Sequence, residues 1–127
     1  TKSKFNMGSL LVSLSITSSD ATSESLNISG ADVLSVTNPI ESSSSVLVDT
    51  STPFNILTSS GNTSITYVYI KNKDVTNFVT VSDDSGNAIM DISPNEFAFF
   101  PVQGSIGIEV LADTSDCIVE YGYWTKS

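Results

Sequence analysis

The stretch Ala88-Ile-Met-Asp-Ile-Ser-Pro-Asn-Glu-Phe-Ala-Phe-Phe-Pro-Val102 decides the fold class, because it contains two short apolar runs with a turn between them. Ala88 to Ile92 and Phe97 to Val102 have the length and the β-branched or aromatic content of strands. Ser93-Pro94-Asn95 supplies residues that favour a turn. Similar runs recur on both sides of this stretch, and none shows the apolar spacing of a long helix. The chain is therefore predicted to be all-β.

The N-terminal half follows the same period of two with more Ser and Thr. Leu10 to Ile16 alternates with polar residues, which predicts a strand with one buried face. Leu26 to Ile28 and Val33 to Val36 are interpreted as shorter strands separated by a turn at Ser29-Gly30, and Ser42 to Ser45 as an exposed loop. Counted over the whole chain, about ten short strands with frequent turns predict an antiparallel β-sandwich.

The length of 127 residues is that of one domain. Because the strand pattern does not begin before Ser9, we predict an N-terminal arm over residues 1–9 and a single sandwich domain over residues 10–127.

The composition argues against several classes of function. The chain has five Lys, no Arg and no His, against fourteen acidic residues, and its formal net charge is −9. A nucleic-acid binder needs a basic face, and five scattered Lys do not make one. Without His, a Ser-His-Asp triad and an imidazole metal site are excluded. We therefore predict a protein that is not an enzyme, with no catalytic residues, no cofactor and no metal.

The sequence shows neither a secretory signal nor an apolar run of the roughly 20 residues that a membrane span needs. This pattern predicts a protein made in the cytosol without export and without a membrane partner.

Acidic residues in two turns are the first candidates for a site. Asp83 and Asp84 with Asn87 offer oxygen ligands for Ca²⁺, and Asp113 with Asp116 forms a similar pair. The spacing does not match an EF-hand, and tight turns favour the same residues, so a structural role is the preferred interpretation.

Aromatic residues are the second candidates. Tyr67 and Tyr69 share one strand face, as do Tyr121 and Tyr123. Such rows can stack on sugars, although core packing and subunit contacts use the same residues. The phenylalanines of Phe97–Phe100 are expected in the core.

The single cysteine, Cys117, lies in a strand-like run with Asp116 and Glu120 close by. Burial and negative charge both raise the pKa of a thiol, so we predict a buried structural residue that shares its strand face with Tyr121. Gly107 and Gly122 lie inside predicted strands, which indicates a bulge or a close backbone approach.

Four segments carry a resemblance to a known family: Tyr67-Val-Tyr-Ile-Lys-Asn72, Ser93-Pro-Asn-Glu-Phe-Ala-Phe-Phe-Pro101, Val110-Leu-Ala-Asp-Thr114 and Cys117-Ile-Val-Glu-Tyr-Gly-Tyr-Trp124. They resemble small virion structural proteins of tailed bacteriophages, marine and cyanobacterial phages in particular. The resemblance implies a sandwich of jelly-roll type that decorates or cements a capsid or forms part of a tail or fibre. It also implies location in the virion, assembly in the host cytoplasm, and no catalytic residues.

Two hypotheses of function follow. The leading one is a capsid decoration or cement subunit that forms a homo-oligomer and binds the major capsid protein or tail components. Its predicted partner contact is the start of the chain, where Lys2 and Lys4 provide positive charge and Phe5 and Met7 provide apolar anchors. The alternative is a carbohydrate-recognising tail fibre or adhesin domain.

Overall fold

The structure is a computed structural model, and it describes residues 7–37 and 43–127. These residues form ten strands in two antiparallel sheets that pack against each other, which confirms the predicted β-sandwich. The strands are β1 (Met7–Ser18), β2 (Leu26–Thr37), β3 (Ser43–Val48), β4 (Phe54–Leu57), β5 (Thr66–Asn72), β6 (Val79–Asp83), β7 (Ala88–Ile92), β8 (Phe97–Val102), β9 (Ile108–Ala112) and β10 (Cys117–Lys126).

The last eight strands pair from the outside inward, so that the first pairs with the last and the two central strands pair with each other. Strand β3 pairs with β10, β4 with β9, β5 with β8 and β6 with β7, all antiparallel. The result is one sheet with the order β3-β10-β5-β8 and a second with the order β4-β9-β6-β7. This is the strand order of a jelly roll.

The strands β1 and β2 form a separate hairpin, which we call the N-terminal hairpin. Twelve residues of each strand pair without interruption, from Met7 opposite Thr37 to Ser18 opposite Leu26. The predicted turn at Ser29-Gly30 is therefore wrong, since both residues lie inside β2. The large apolar residues Leu26, Ile28, Leu34 and Val36 have even numbers on both sides of Gly30, whereas Val33 has an odd number. A parity that continues across Gly30 indicates one uninterrupted strand.

Two further sequence boundaries differ from the structure. Strand β1 begins at Met7, inside the predicted arm, and residues 1–6 lie outside the described part of the chain. Strand β3 begins at Ser43, so the predicted loop over Ser42–Ser45 is in fact mostly strand, while Ser42 itself is not described. Serine fits there because Ser43 and Ser44 pair with Gly122 and Tyr121 of β10 through their backbones.

The core lies between the two sheets and is built mainly from β-branched residues. Strand β5 alternates perfectly, with Val68 and Ile70 fully buried and their neighbours partly exposed. Val79, Val81 and Val110 meet them from the opposite sheet. Each buried Val or Ile contributes roughly 1.5–3 kcal/mol of transfer free energy. The core packs against the inner side of the six-stranded sheet, and the outer side of the same sheet forms the candidate site.

Two buried asparagines join the loops to the core, and sequence reasoning did not identify them. The amide of Asn72 donates to the carbonyls of Asn77 (2.8 Å) and Ile92 (3.1 Å), and its Oδ1 accepts the N–H of Asp74 (3.0 Å). The amide of Asn62 donates to the carbonyls of Gln103 and Ile106 at 2.7 and 2.9 Å. Both residues thus satisfy backbone groups that would otherwise be buried without a partner.

We expect Asn72→Ala to lower the free energy of unfolding by about 2–4 kcal/mol, because three partly or fully buried backbone groups each lose a hydrogen bond. Urea denaturation of the variant and the parent chain measures this. The matched control is Asn27→Ala, on an exposed position of β2, where we expect a change within about 0.5 kcal/mol. Equal effects of the two substitutions would contradict the role given to Asn72.

Candidate functional site

The outward side of the six-stranded sheet carries a cluster of aromatic rings. Strand β5 directs alternate side chains outward, and its neighbours follow the same parity, so that Tyr69 lies opposite Phe99 and Tyr67 lies opposite Trp124. The rings of Tyr67 and Phe99 stack with centroids 6.0 Å apart and planes 9° apart. We call this surface the aromatic face and define it by Tyr67, Tyr69, Phe97, Phe99 and Trp124.

The aromatic face confirms one prediction and corrects another. Tyr67 and Tyr69 do share an outward strand face, as predicted. Phe97 is 59% exposed, and Phe99 points outward with it, so the expectation that both belong to the core is wrong. Of the three phenylalanines, only Phe100 packs against the core cluster. The parity of β8 against β5 decides this, because Phe99 pairs with the outward Tyr69 and Phe100 with the buried Val68.

The second tyrosine pair has a different role. Tyr121 and Tyr123 share one face of β10, as predicted, but that face turns toward the other sheet, and both pack against the core cluster. The ring of Phe54 lies 5.5 Å from that of Tyr121. These tyrosines are therefore packing residues.

The N-terminal hairpin and the aromatic face enclose an open apolar cleft of about 690 Å³. One wall is the segment Leu10–Leu14 of β1, and the floor is formed by Tyr69, Phe97, Phe99 and Trp124. A second depression of about 340 Å³ continues along β2. The run Leu10 to Ile16 was predicted to bury one face, but Leu14 and Ile16 are 50% and 43% exposed, because the open cleft separates this part of β1 from the aromatic face.

Polar groups lie at the rim of the cleft. The hydroxyl of Tyr69 donates to Glu120 Oε1 at 3.5 Å. Burial, followed by the negative charge of Glu120, raises the pKa of Tyr69 above its ordinary value. Asp32 lines the second depression. A sugar needs several directed hydrogen bonds as well as a stacking ring, so the cleft matches the apolar side chains of a polypeptide better than a sugar.

The acidic turns use their carboxylates to hold their own backbone. Asp83 Oδ1 accepts the N–H groups of Ser85 and Asn87, each at 2.9 Å, and its Oδ2 accepts the side-chain amide of Asn87 at 3.0 Å. Asp49 and Asp74 accept two backbone N–H groups each in similar turns. The hydrogen bonds with Asn87 are the main reason that the pKa of Asp83 lies below its ordinary value.

The cation hypotheses find no support in this geometry. Across residues 7–37 and 43–127, no group of three or more His, Cys, Asp or Glu side chains is placed to hold a metal ion. Asp84 instead packs on the backbone of Gly107, where an added Cβ would lie 2.7 Å from Asp84 Cγ. Gly107 was predicted inside a strand but lies just before β9, and the group that closely approaches its backbone is the side chain of Asp84.

We expect the free energy of unfolding to fall as the pH is lowered from about 7 to about 3. In the folded state the pKa values of Asp74 and Asp83 lie below 3.8, the value of a free side chain, so folding favours their charged forms. Their contribution is complete above that value and is lost as the pH falls through the folded pKa. In Asp83→Asn an oxygen acceptor remains but does not titrate, so the fall should be smaller. Urea midpoints at both pH values measure this, and an unchanged pH dependence would contradict it.

Cys117 is fully buried at the start of β10, as predicted, on the face it shares with Val119 and Tyr121. Its Sγ donates weakly to the carbonyl of Ser115 at 3.4 Å. Burial raises the pKa of this thiol, and the carboxylates of Asp74 and Asp116 raise it further. A thiol in such surroundings is a packing residue and not a nucleophile.

We expect Cys117→Ser to lower the free energy of unfolding by about 1–3 kcal/mol, because a hydroxyl replaces the thiol among apolar groups. Thermal or urea unfolding measures the change. In the unmodified chain a thiol reagent should label Cys117 only as fast as the protein opens. Rapid labelling of the native protein would show that this face of β10 is accessible.

The predicted partner contact is not described by the structure, except at its end. Lys2, Lys4 and Phe5 lie outside the described residues, and Met7 begins β1. Their contact with a partner therefore stays a prediction.

Comparisons with models of known protein families, with curated proteins and with solved structures find no match to this chain. In the described part of the chain, no helix has the length and hydropathy needed to cross a membrane.

Proposed function

We propose that this chain is a non-enzymatic structural protein of a bacteriophage virion, and that it acts as a capsid decoration or cement subunit. The observation that carries the proposal is the N-terminal hairpin, which presents apolar side chains to solvent on both of its faces. On one face Leu11 and Val33 form a cross-strand pair that is 71% and 62% exposed. On the other face Leu14, Ile16 and Ile28 are each about half exposed.

Isolated exposed apolar residues are common, but contiguous apolar patches on a projecting ribbon mark interaction sites. Among the described residues, the hairpin joins the rest of the sheet near its base, where Val36 and Thr37 pair with Lys126 and Thr125 and the N–H of Ser127 donates to the carbonyl of Ser35. It is therefore suited to reach a neighbouring protein. The resemblance of the C-terminal segments to phage virion proteins implies that this neighbour is the major capsid protein or a tail component.

The composition supports a repeated structural role. Few side chains are long and charged, and the exposed strand positions of the hairpin are mainly Ser, Thr and aliphatic residues. Ordering such side chains at a contact costs little conformational entropy. The jelly roll itself does not decide the function, because the same fold serves many purposes.

The alternative is a carbohydrate-recognising tail fibre or adhesin domain. The aromatic face favours it, since exposed rings on a sheet can stack on sugars. The apolar lining of the cleft and the exposed hairpin favour a protein partner instead.

The test uses a phage whose genome encodes the chain. Virions that lack the chain are prepared from a deletion mutant of this phage. Purified chain should bind these particles and raise the temperature at which they release DNA. Val33→Ser should weaken that binding by about tenfold, the loss expected for one apolar anchor of an interface. The matched control is Ile89→Ser on β7 of the opposite sheet, at a position that is also about half exposed, and it should bind normally.

Absence of the chain from wild-type virions would overturn the proposal. Equal binding by the Val33 and Ile89 variants would remove the hairpin from the contact. Saturable binding of the purified chain to a glycan, combined with no effect on particle stability, would favour the adhesin hypothesis.

A further inference from the structure

We propose that the cleft receives residues 1–6 of a second copy of this chain, which add to the edge of β1 as a short strand. The contact would link copies of the protein through an exchanged arm. This deepens the proposed function, because it rests on the assumption that the chain works as an assembled subunit, and it names the surface and the segment that join the copies.

The first observation is the open edge of β1. Within the described residues, β1 pairs with β2 alone, so one of its edges carries backbone N–H and C=O groups without a strand partner. Edge strands are usually protected by charge or proline. Strand β8 contains Pro101 and β7 contains Asp91, whereas the twelve residues of β1 include neither a charged residue nor a proline. Strands β3 and β4 also lack charge and proline, but they have only six and four residues, so the twelve residues of β1 offer the longest unprotected edge for another strand.

The second observation is the floor beneath that edge. The cleft lies where Leu10–Leu14 of β1 approach Tyr69, Phe97 and Trp124, so a strand added to β1 would rest on aromatic rings. Side chains on one side of the added strand would contact Phe97, which is 59% exposed. A strand-binding site thus offers both components that such recognition uses, namely backbone pairing and an apolar surface for alternate side chains.

The third observation is complementarity between the first six residues and the rest of the chain. Residues 1–6 contain Lys2 and Lys4 and no acidic residue, while residues 7–127 contain three Lys and fourteen acidic residues, a formal charge of 3 − 14 = −11. Opposite charge of this size steers association. Glu120 and Asp32 lie at the rim of the cleft region, although Lys71 is the cross-strand neighbour of Glu120.

The alternation of the first residues suits a strand in this position. Ser3, Phe5 and Met7 have one parity, whereas Lys2 and Lys4 have the other. In an extended strand, one side therefore carries Phe5 and the opposite side carries the ammonium groups. Phe5 can face the aromatic floor while both Lys remain in water or meet carboxylates. Six extended residues span about 20 Å, enough to follow the five residues of the β1 wall.

Sedimentation velocity of the full chain tests the contact. The weight-average mass should rise with concentration toward that of two or more chains. Phe5→Ser removes the anchor but keeps the cleft, and Phe97→Ser damages the cleft but keeps the anchor. Each variant alone should associate about tenfold more weakly, the loss expected for one buried aromatic anchor. An equal mixture of the two should regain a two-chain species, because one supplies the arm and the other the cleft. Ile89→Ser is the matched control and should behave as the parent.

A synthetic peptide of residues 1–8 tests the mode of binding. The chain has a single tryptophan, Trp124, and it lines the cleft, so saturable binding should change its fluorescence. Two further peptides carry N-methyl groups on the backbone nitrogens of either the odd-numbered or the even-numbered residues. Only one parity of N–H groups can bond to β1, so one methylated peptide should lose about tenfold in affinity and the other should bind as the parent peptide does.

A chain that stays single at every soluble concentration would overturn this inference, as would a Phe5→Ser or Phe97→Ser variant that associates like the parent. Equal affinities of both methylated peptides would also overturn it, because side chains alone would then carry the contact. These measurements use the purified chain and do not involve particles. Failure here therefore leaves the virion proposal standing, and absence from virions leaves the self-association standing.

Discussion

The pairing of β10 is the constraint on which both the sandwich and the hairpin depend. A strand has only two edges, and β10 gives one of them to β5 over residues 119–125. The other edge is shared in succession by β3, opposite residues 117–122, and by β2, opposite Thr125 and Lys126. Because β10 ends there, the described part of the N-terminal hairpin is attached to the sheet at the end of β2, with further bonds from the N–H of Ser127 to the carbonyl of Ser35 and from the Thr37 hydroxyl to the carbonyl of Thr125. The remaining ten residue pairs of the hairpin have no partner strand in the described part of the sheet. The hairpin therefore projects from the sheet, and the cleft lies between it and the aromatic face.

The sequence predicted what depends on local alternation and missed what depends on long-range pairing. The sandwich class, the buried Cys117 and the shared face of Tyr67 and Tyr69 all follow from a period of two. Whether Phe99 points to the core or to water depends on its register against Tyr69, some thirty residues earlier, and no local pattern reveals that register. The role of the buried Asn72 could not be predicted either. Its amide donates to the carbonyls of Asn77 and Ile92, and these two carbonyls come together only in the folded chain.

The N-terminal hairpin and the jelly roll differ in charge. Most acidic residues lie in turns or loops. The carboxylates of Asp49, Asp74 and Asp83 accept hydrogen bonds from backbone N–H groups nearby. These hydrogen bonds fix the conformation of the turns that connect the strands of the jelly roll. The hairpin strands are nearly free of charge, with Asp32 as their single charged residue. The chain is thus strongly acidic overall, whereas the projecting hairpin carries one charge and several exposed apolar side chains.

The partnership of β3 with β10 has a consequence for the order in which the protein is made. Ser43–Val48 emerge from the ribosome long before Cys117–Gly122, their pairing partners, have been synthesised. The same is true of β4 and β9. Contacts of such long sequence separation make folding slow, and they cannot form until translation is almost complete. The hairpin, whose strands are joined by seven residues, can form much earlier. For part of its synthesis the nascent chain would therefore carry a folded hairpin with exposed apolar side chains, while the residues of the jelly roll are still unfolded. Exposed apolar surface at this stage favours chaperone binding or misassembly between neighbouring chains on the same polysome.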